Sequence, residues 1–263
     1  MDRDFGPDLE LAHEVADAAD AITAPAFEAR AFTVSRKADR SEVSEIDRDT
    51  ESEIVRRLRA ARPVDAVFGE EHGVTGPTDT EWTWVIDPID GTSNYVRGLP
   101  VWATLVALVH RVDGPVLGLV SAPSMNRRWW GVRGGGARAN GRPIAVSKID
   151  SVHRAQVSVV PNRGWRDLGV DRALADLQFD AARARGFGDF WQHMLVAEGA
   201  IDVAIDAVGL APYDIAALVP VVEEAGGRLT DRVGRRDHLS NTAVTTNGLL
   251  HDEIVNRLRP PVG

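Results

Sequence analysis

The chain has 263 residues, of which 44% are hydrophobic and 26% charged, and its formal net charge is −9. This composition is ordinary for a globular enzyme, and the negative charge argues against a nucleic-acid-binding surface, which requires a basic face. The absence of cysteine excludes disulfides, thiolate zinc sites and cysteine nucleophiles. The first residues lack the pattern of a secretory signal, and no apolar run approaches the ~20 residues that span a bilayer. We therefore expect a cytoplasmic protein with neither a nucleic-acid nor a membrane partner.

The beginning of the chain predicts two helices with a strand between them. Apolar residues recur at helical spacing over residues 8–27, and a second helix is expected at about 45–60. Between the helices, residues 31–34 predict a short strand, followed by a polar loop through Lys37 and Asp39.

Acidic residues stand where the second helix begins and where the next strand ends. Ser44 and Asp47 fit a variant of the capping box, with the acid at the third helical position. An acid there also suits the positive end of a helix, so the local pattern makes Asp47 a capping residue. Residues 66–68 then predict a brief strand that ends at Gly69-Glu70-Glu71, where two carboxylates crowd the strand end.

The most informative stretch is an apolar run at residues 84–86 that continues into Asp87-Pro88-Ile89-Asp90-Gly91-Thr92. The run predicts a buried strand, and Pro88, which has no N–H, is expected to stop ladder pairing. Gly91 allows a tight turn and the close approach of a ligand. Carboxylate oxygens at a strand end are the ligands that Mg²⁺ takes, often together with a substrate phosphate. The alternative is a polar turn in which Asp90 caps a helix.

The stretch that follows predicts a series of antiparallel strands. Residues 101–110 and 115–121 are apolar runs joined through Asp113-Gly114, a good hairpin signal. Residues 128–132 predict a further strand that returns through the glycines at 134–136. We interpret these glycines as a hairpin and not as a phosphate cradle, because no Gly-Lys-Ser/Thr follows. The result is a mostly antiparallel sheet with helices on one side.

The second half alternates strands and helices at α/β spacing. We therefore divide the chain into an α+β half at 1–148 and an α/β half at 149–263. Asp214 follows Pro212-Tyr213 and precedes a predicted helix, so the local pattern makes it an N-cap. The strands are expected at 155–160, 201–205, 228–230 and 243–245, and the helices at 170–177, 190–200, 211–225 and 249–258.

The motifs together carry a family resemblance. The run from Asp87 to Tyr95 resembles the signature of the inositol monophosphatase family, the Mg²⁺-dependent, lithium-sensitive phosphomonoesterases. Gly69-Glu70-Glu71 and Tyr213-Asp214-Ile215 match further motifs in the family's order, and the resemblance spans nearly the whole chain. Within the family the chain is most similar to the histidinol-phosphatases, in segments 98–103, 121–123 with 127–130, and 186–190. The resemblance implies the layered αβαβα sugar-phosphatase fold, two or three Mg²⁺ ions per site and a homodimer.

The resemblance also implies roles for individual residues. The implied ligands of one metal are Glu70, Asp87 and the Ile89 carbonyl, and those of the second are Asp87, Asp90 and Asp214. The N–H groups of Gly91 and Thr92 are implied to bind the phosphate. Asp47, in a Thr-x-x-Asp element in which Ser44 replaces the usual Thr, is implied to activate water with Thr92. The resemblance accordingly implies Asp47, Thr92 and Glu70 as the catalytic residues.

The substrate is expected to contact the second half, with Arg185, Asp189 and Asp206 as candidates. Relatives commonly carry a Glu at a fixed distance before the metal-binding Asp; here Asp206 lies one residue too far from Asp214, and Ala207 occupies the other register. We expect hydrolysis of L-histidinol phosphate to L-histidinol in histidine biosynthesis. The alternatives are an inositol-1-phosphate or fructose-1,6-bisphosphate phosphatase, a nucleotide 3′-phosphatase, and a non-catalytic relative that binds phosphate.

Overall fold

A computed structural model describes residues 3–30, 32–36 and 42–259. The predicted loop residues Lys37 and Asp39, and the first residue of the strand predicted at 31–34, lie outside this description. The first half contains helices α1 (Gly6–Ala29), α2 (Glu45–Ala61) and α3 (Thr92–Arg97). Its strands are β1 (Val34–Arg36), β2 (Glu42–Ser44), β3 (Ala66–Gly69), β4 (Gly73–Thr75), β5 (Trp82–Asp90), β6 (Ala103–His110), β7 (Gly114–Ala122), β8 (Arg127–Val132), β9 (Gly136–Ala139) and β10 (Arg142–Pro143).

The second half has shorter elements. Its helices are α4 (Arg163–Asp167), α5 (Asp171–Asp180), α6 (Asp189–Ala197), α7 (Pro212–Ile215), α8 (Leu218–Glu224) and α9 (His251–Arg257). Its strands are β11 (Gln156–Val159), β12 (Arg183–Arg185), β13 (Val203–Ile205), β14 (Arg228–Thr230) and β15 (Val244–Thr246).

The first half is built on an eight-stranded sheet with the order β10-β9-β8-β7-β6-β5-β3-β4. All neighbours pair antiparallel except β3 and β5, which are parallel. The predicted hairpins at Asp113-Gly114 and at the glycines 134–136 are confirmed, because they join β6 to β7 and β8 to β9. The mostly antiparallel sheet is therefore as expected.

Both faces of this sheet are covered, which explains the unbroken apolar run of β6. Successive residues of β6 alternate between two cores: Val106 and Leu108 pack with α1 and α2, whereas Leu105 and Ala107 pack with α6 and α8. A strand buried on both faces carries no polar alternation. The helices of the first half lie on one side, as predicted, and helices of the second half supply the other layer.

The smaller sheet has the order β12-β11-β13-β15-β14 and mixes parallel and antiparallel pairs. Its outer face packs against α5 and α9, so the layers run helix, sheet, helix, sheet, helix. This is the αβαβα arrangement that the family resemblance implies. No helix among the described residues is long and apolar enough to cross a membrane.

Some predicted elements differ in detail. The helix expected at 211–225 consists of two pieces, α7 and α8, and the chain leaves it at Gly226, whose φ of 89° is left-handed. The strand expected at 31–34 is centred later, at β1, because it pairs with β2. Strand β12 and helix α4 were not predicted, since both are short and β12 has the polar sequence Arg-Ala-Arg.

Candidate metal centre

The signature motif forms the end of β5 and an irregular turn of the sheet. Ladder pairing is interrupted at Pro88, as expected for a residue without an N–H, but it resumes at Asp90, which pairs with Ala103, so β5 continues past the proline. The register shifts between Asp87 and Asp90, and such a bulge accommodates a residue without an N–H. The bulge is held by the N–H of Ile89, which donates to Asp87 Oδ1 at 3.0 Å.

Three aspartates meet at this bulge. Carboxylate oxygens of Asp87, Asp90 and Asp214 lie within 4.8 Å of one another, and we call these residues the three-aspartate cluster. Asp214 is the third residue of α7 and not its N-cap, which is Ala211. Its Oδ2 accepts a hydrogen bond from the Ala211 N–H at 2.6 Å, so the start of α7 fixes the carboxylate at the cluster.

Burial and mutual repulsion dominate the electrostatics of the cluster. Burial raises the pKa of Asp87 well above its usual value, and the charges of Glu70, Asp90 and Asp214 raise it further. Burial, followed by the charges of Asp189 and Asp214, likewise raises the pKa of Asp90. For Asp214, burial is the largest cause of a pKa of about 7. Buried carboxylates that repel one another are stabilised by a cation, and an all-oxygen donor set suits a hard divalent ion.

The two glutamates after β3 face different parts of the site. The charge of Glu70 raises the pKa of both Asp87 and Asp214, which places it next to the three-aspartate cluster. The charge of Glu71 instead raises the pKa of Asp47, whose shift is caused first by burial. This separation agrees with the family resemblance, which implies that the first glutamate, Glu70, binds the metal.

Asp47 is both a capping residue and a neighbour of the signature motif. Its Oδ2 accepts hydrogen bonds from the N–H of Ser44 at 2.8 Å and from the Ser44 hydroxyl at 2.5 Å, completing the predicted capping box. Its Oδ1 lies 3.2 Å from Thr92 Oγ1. The Thr92 hydroxyl is also 2.9 Å from the Ile89 carbonyl oxygen. The structure thus brings Asp47, Thr92 and Ile89 together beside the cluster.

Gly91 and Thr92 open the six-residue helix α3. Gly91 has a φ of 81°, in the left-handed region that glycine adopts without strain. A Cβ atom at this position would lie 2.9 Å from the Val101 carbonyl oxygen, so the turn also needs the missing side chain. Within the described ranges, no protein acceptor takes the N–H groups of Gly91 and Thr92. Such donors at a helix start can bind an anion.

Two of the three candidate substrate residues lie beside the cluster. Asp189, with a φ of 48°, accepts a hydrogen bond from Asn94 Nδ2 at 2.7 Å. Its charge raises the pKa of Asp90. Burial, then the charge of Asp206, raises the pKa of Asp189 to about 6. Asp206 is 6% exposed, and its charge also raises the pKa of Asp90 and of Asp214.

Arg185 is not brought to this cluster by any contact among the residues described. Its side chain is exposed, and its Nη1 donates to the Ala184 carbonyl oxygen at 2.7 Å. The strand β12 that carries it lies at the edge of the smaller sheet, so its guanidinium remains at the surface.

The sequence analysis did not identify two residues that lie near the site. Glu51 is fully buried and bonds to the turn after Glu70. His193 is fully buried, with Nε2 3.1 Å from Asp206 Oδ2 and Nδ1 2.7 Å from Thr245 Oγ1. The only sequence feature that could have indicated them is their spacing. Glu51 follows Asp47, and His193 follows Asp189, by one turn of a helix.

The layered fold and a partly buried, all-oxygen cluster at a strand end are those of the metal-dependent phosphatases. A family model described as the inositol monophosphatase family matches residues 6–260, and the chain therefore belongs to that family. It is a phosphoric monoester hydrolase. The family and the fold predicted from the motifs are both confirmed.

Individual relatives also bear names of this family's phosphatases. The chain is 44% identical to a histidinol-phosphatase of Streptomyces coelicolor, with 97% of this chain and 98% of that protein covered. It is also 44% identical to a histidinol-phosphatase of Mycobacterium tuberculosis, with 95% and 97% covered. Among solved structures, an IMPase of Thermotoga maritima matches with a TM-score of 0.84 at 29% identity, with 96% of each chain covered.

Proposed function

We propose that this chain is a Mg²⁺-dependent phosphatase that hydrolyses L-histidinol phosphate to L-histidinol and phosphate. The observation that supports hydrolysis is the convergence of carboxylate oxygens of Asp87, Asp90 and Asp214 within 4.8 Å in a partly buried site. The choice of substrate is supported by the two relatives named histidinol-phosphatase, which the chain matches over nearly its full length.

The residues present fit Mg²⁺. Every donor of the three-aspartate cluster is an oxygen, and Glu70 and the Ile89 carbonyl would add two more of the kind that Mg²⁺ prefers. When bound, two or three such ions neutralise the phosphate, lower the pKa of a water molecule and stabilise the leaving oxygen. Thiolate and imidazole donors, which would favour softer metals, are absent from the cluster.

Asp47 and Thr92 would position the attacking water. The Thr92 hydroxyl can donate its proton to Asp47 Oδ1, at 3.2 Å, which leaves a lone pair on Thr92 Oγ1 to accept a proton from water. Burial raises the pKa of Asp47 and so makes its carboxylate a better proton acceptor than an exposed one. The N–H groups of Gly91 and Thr92 would hold the phosphate for in-line attack without a covalent intermediate.

The charge around the substrate side of the site favours a cationic leaving group. Asp189 and Asp206 add two carboxylates beside the cluster. Histidinol phosphate carries an ammonium and an imidazole, both of which are attracted to carboxylates, whereas inositol and sugar phosphates offer hydroxyls only. Opposite charges in a partly buried site interact more strongly than neutral hydrogen-bonding groups.

The test compares substrates and metals in one assay. Phosphate release would be measured from histidinol phosphate, inositol-1-phosphate and fructose-1,6-bisphosphate, each with Mg²⁺ and with EDTA. Asp90→Asn should abolish activity, whereas Asp79→Asn, whose side chain is 98% exposed, should not change it. Faster release from an inositol or sugar phosphate would overturn the substrate and keep the metal site. Mg²⁺ binding without hydrolysis of any phosphomonoester would favour the non-catalytic alternative. A homodimer and a cytoplasmic location stay predictions.

A further inference from the structure

We propose that Glu51 is a positioning residue for the metal centre: its buried carboxylate fixes the turn that carries Glu70. This inference rests on the proposed function in one respect, the role of Glu70 as a metal ligand. Glu51 lies on α2 and makes no contact with the three-aspartate cluster among the interactions described. Its effect on the site would therefore pass through the backbone of residues 69–72.

The contacts of Glu51 are with consecutive groups of that turn. Oε2 accepts the N–H of Glu71 at 2.8 Å, and Oε1 accepts the N–H of His72 at 2.7 Å. His72 Nδ1 lies 3.0 Å from the same Oε1. A fully buried carboxylate that accepts two neighbouring backbone N–H groups makes charge-assisted hydrogen bonds in a fixed orientation. Each oxygen of the Glu51 carboxylate therefore holds one of the two peptide groups that follow Glu70.

Gly69, which precedes Glu70, leaves the space that the Glu51 carboxylate occupies. A Cβ atom on Gly69 would lie 2.7 Å from Glu51 Oε2 and would overlap Oε1. Gly69 is not among the residues with positive φ, so its backbone conformation is open to alanine. The space taken by the Glu51 carboxylate, and not the backbone, is what requires a glycine here.

Through its position on α2, Glu51 links this turn to Asp47 and Thr92, the two residues proposed to position the attacking water. Residues 47 and 51 lie one turn apart on the same face of the helix. Asp47 reaches Thr92 in the signature motif, and Glu51 reaches the turn after Glu70. One helix would thereby set the distance between the two chain segments that approach the metals from this side.

The alternative is that Glu51 only stabilises the fold, and a melting experiment separates the two roles. The melting temperature would be recorded against Mg²⁺ concentration, since a bound ion stabilises the native state by mass action. A structural role lowers the melting temperature without Mg²⁺ but leaves the Mg²⁺ dependence unchanged. A positioning role moves the Mg²⁺ concentration at which stabilisation begins.

The variant Glu51→Gln keeps the size of the side chain but turns one acceptor into a donor facing a backbone N–H. We expect it to need about tenfold more Mg²⁺, the loss typical of groups that orient metal ligands. At saturating Mg²⁺ its kcat should return to near the wild-type value. Glu53→Gln, on the same helix but paired with Arg56 and Arg57, is the matched control and should leave the Mg²⁺ dependence unchanged.

Gly69→Ala provides an independent second variant. It should weaken Mg²⁺ binding by a similar factor, and the double variant should be no weaker than either single one, because both disturb the same contact. If a folded Glu51→Gln or Gly69→Ala protein keeps the wild-type Mg²⁺ dependence, the inference is wrong. If the wild-type protein itself gains no stability from Mg²⁺, the proposed metal function fails and this inference fails with it.

Discussion

The Asp47 carboxylate lies 3.2 Å from the Thr92 hydroxyl, although 45 positions separate the two residues in sequence. The same carboxylate completes the capping box of α2 through its other oxygen. The structural and the catalytic interpretations of Asp47 are thus compatible, since each uses a different oxygen. Because the cap fixes the side chain, the oxygen that faces Thr92 is oriented before any substrate binds.

Removal of the Thr92 hydroxyl should therefore impair the chemical step more than binding. We expect Thr92→Val to lower kcat by about 10²–10⁴-fold, the usual contribution of a positioned acid–base group. The KM for substrate should change little, because the N–H of residue 92 remains. Thr92→Ser keeps the hydroxyl and should retain most of the activity. Steady-state kinetics at saturating Mg²⁺ would measure both, and an equal loss in the two variants would contradict the role of the hydroxyl.

The capping box shows how far local sequence reasoning reaches. The Ser44–Asp47 pattern correctly predicted the start of α2, because a cap involves neighbouring residues only. The contact between Asp47 and Thr92 depends on how α2 packs against β5, which no local pattern contains. Only the family resemblance indicated it. Glu51 and His193 were missed for the same reason, since their partners lie 21 and 13 positions away.

The differences from expectation have equally specific causes. Ladder pairing stops at Pro88 as expected, but it resumes at Asp90 beyond a bulge, which keeps both aspartates at one site. Asp214 follows a proline and precedes a helix, as an N-cap does, yet the helix begins earlier, with Pro212 as its first residue. Arg185 was named from its place in the chain, and its role at the substrate stays a prediction; its strand lies at the sheet edge, and no described contact brings it to the cluster. Elements defined by long apolar runs were predicted well, whereas these turns depended on tertiary packing.

Asp87→Asn should abolish activity and at the same time stabilise the metal-free protein. Asp87 is 1% exposed and is repelled by Glu70, Asp90 and Asp214. Two unit charges 4 Å apart repel by about 4 kcal/mol at an effective dielectric constant of 20. Relief of a quarter of this, about 1 kcal/mol, would raise the melting temperature by about 2–4 °C in a chain of this size.

The measurement is thermal unfolding in EDTA, with Asp79→Asn as the exposed control. A melting temperature below that of the wild type would show that Asp87 is stabilising even without metal. In Mg²⁺ the order should reverse, because the wild type gains stability from the ion and the variant gains less.

His193 should act on substrate affinity through Asp206. Its Nε2 lies 3.1 Å from Asp206 Oδ2, where an N–H would donate to the carboxylate, and its Nδ1 lies 2.7 Å from Thr245 Oγ1. His193→Gln can place its amide N–H near the position of Nε2 and keep the bond to Asp206, whereas His193→Asn is too short and can reach only Thr245. Loss of one hydrogen bond to a charged group is worth about 1.5–3 kcal/mol.

We accordingly expect His193→Asn to raise the KM for histidinol phosphate by about tenfold or more, the equivalent of at least about 1.4 kcal/mol. Its kcat should be nearly unchanged, and His193→Gln should lie close to the wild type in both constants. A fall in kcat with constant KM would place His193 in the chemical step instead. Melting temperatures of both variants would control for the loss of stability when either buried hydrogen bond of His193 is removed.

The stability of the metal-free protein should fall as the pH rises from about 4 to about 7. Burial and neighbouring charge raise the pKa of Asp189 to about 6 and that of Asp214 to about 7 in the folded state, whereas an unfolded aspartate titrates near 3.9. Between these values the native protein holds protons that the unfolded chain has lost, so the free energy of unfolding decreases with pH. Melting temperatures in EDTA should therefore decline across this range. Saturating Mg²⁺ should reduce or remove the decline, because the ion replaces the protons. A melting temperature in EDTA that rises from pH 5 to pH 7 would show that these carboxylates are ionised and stabilising without a metal.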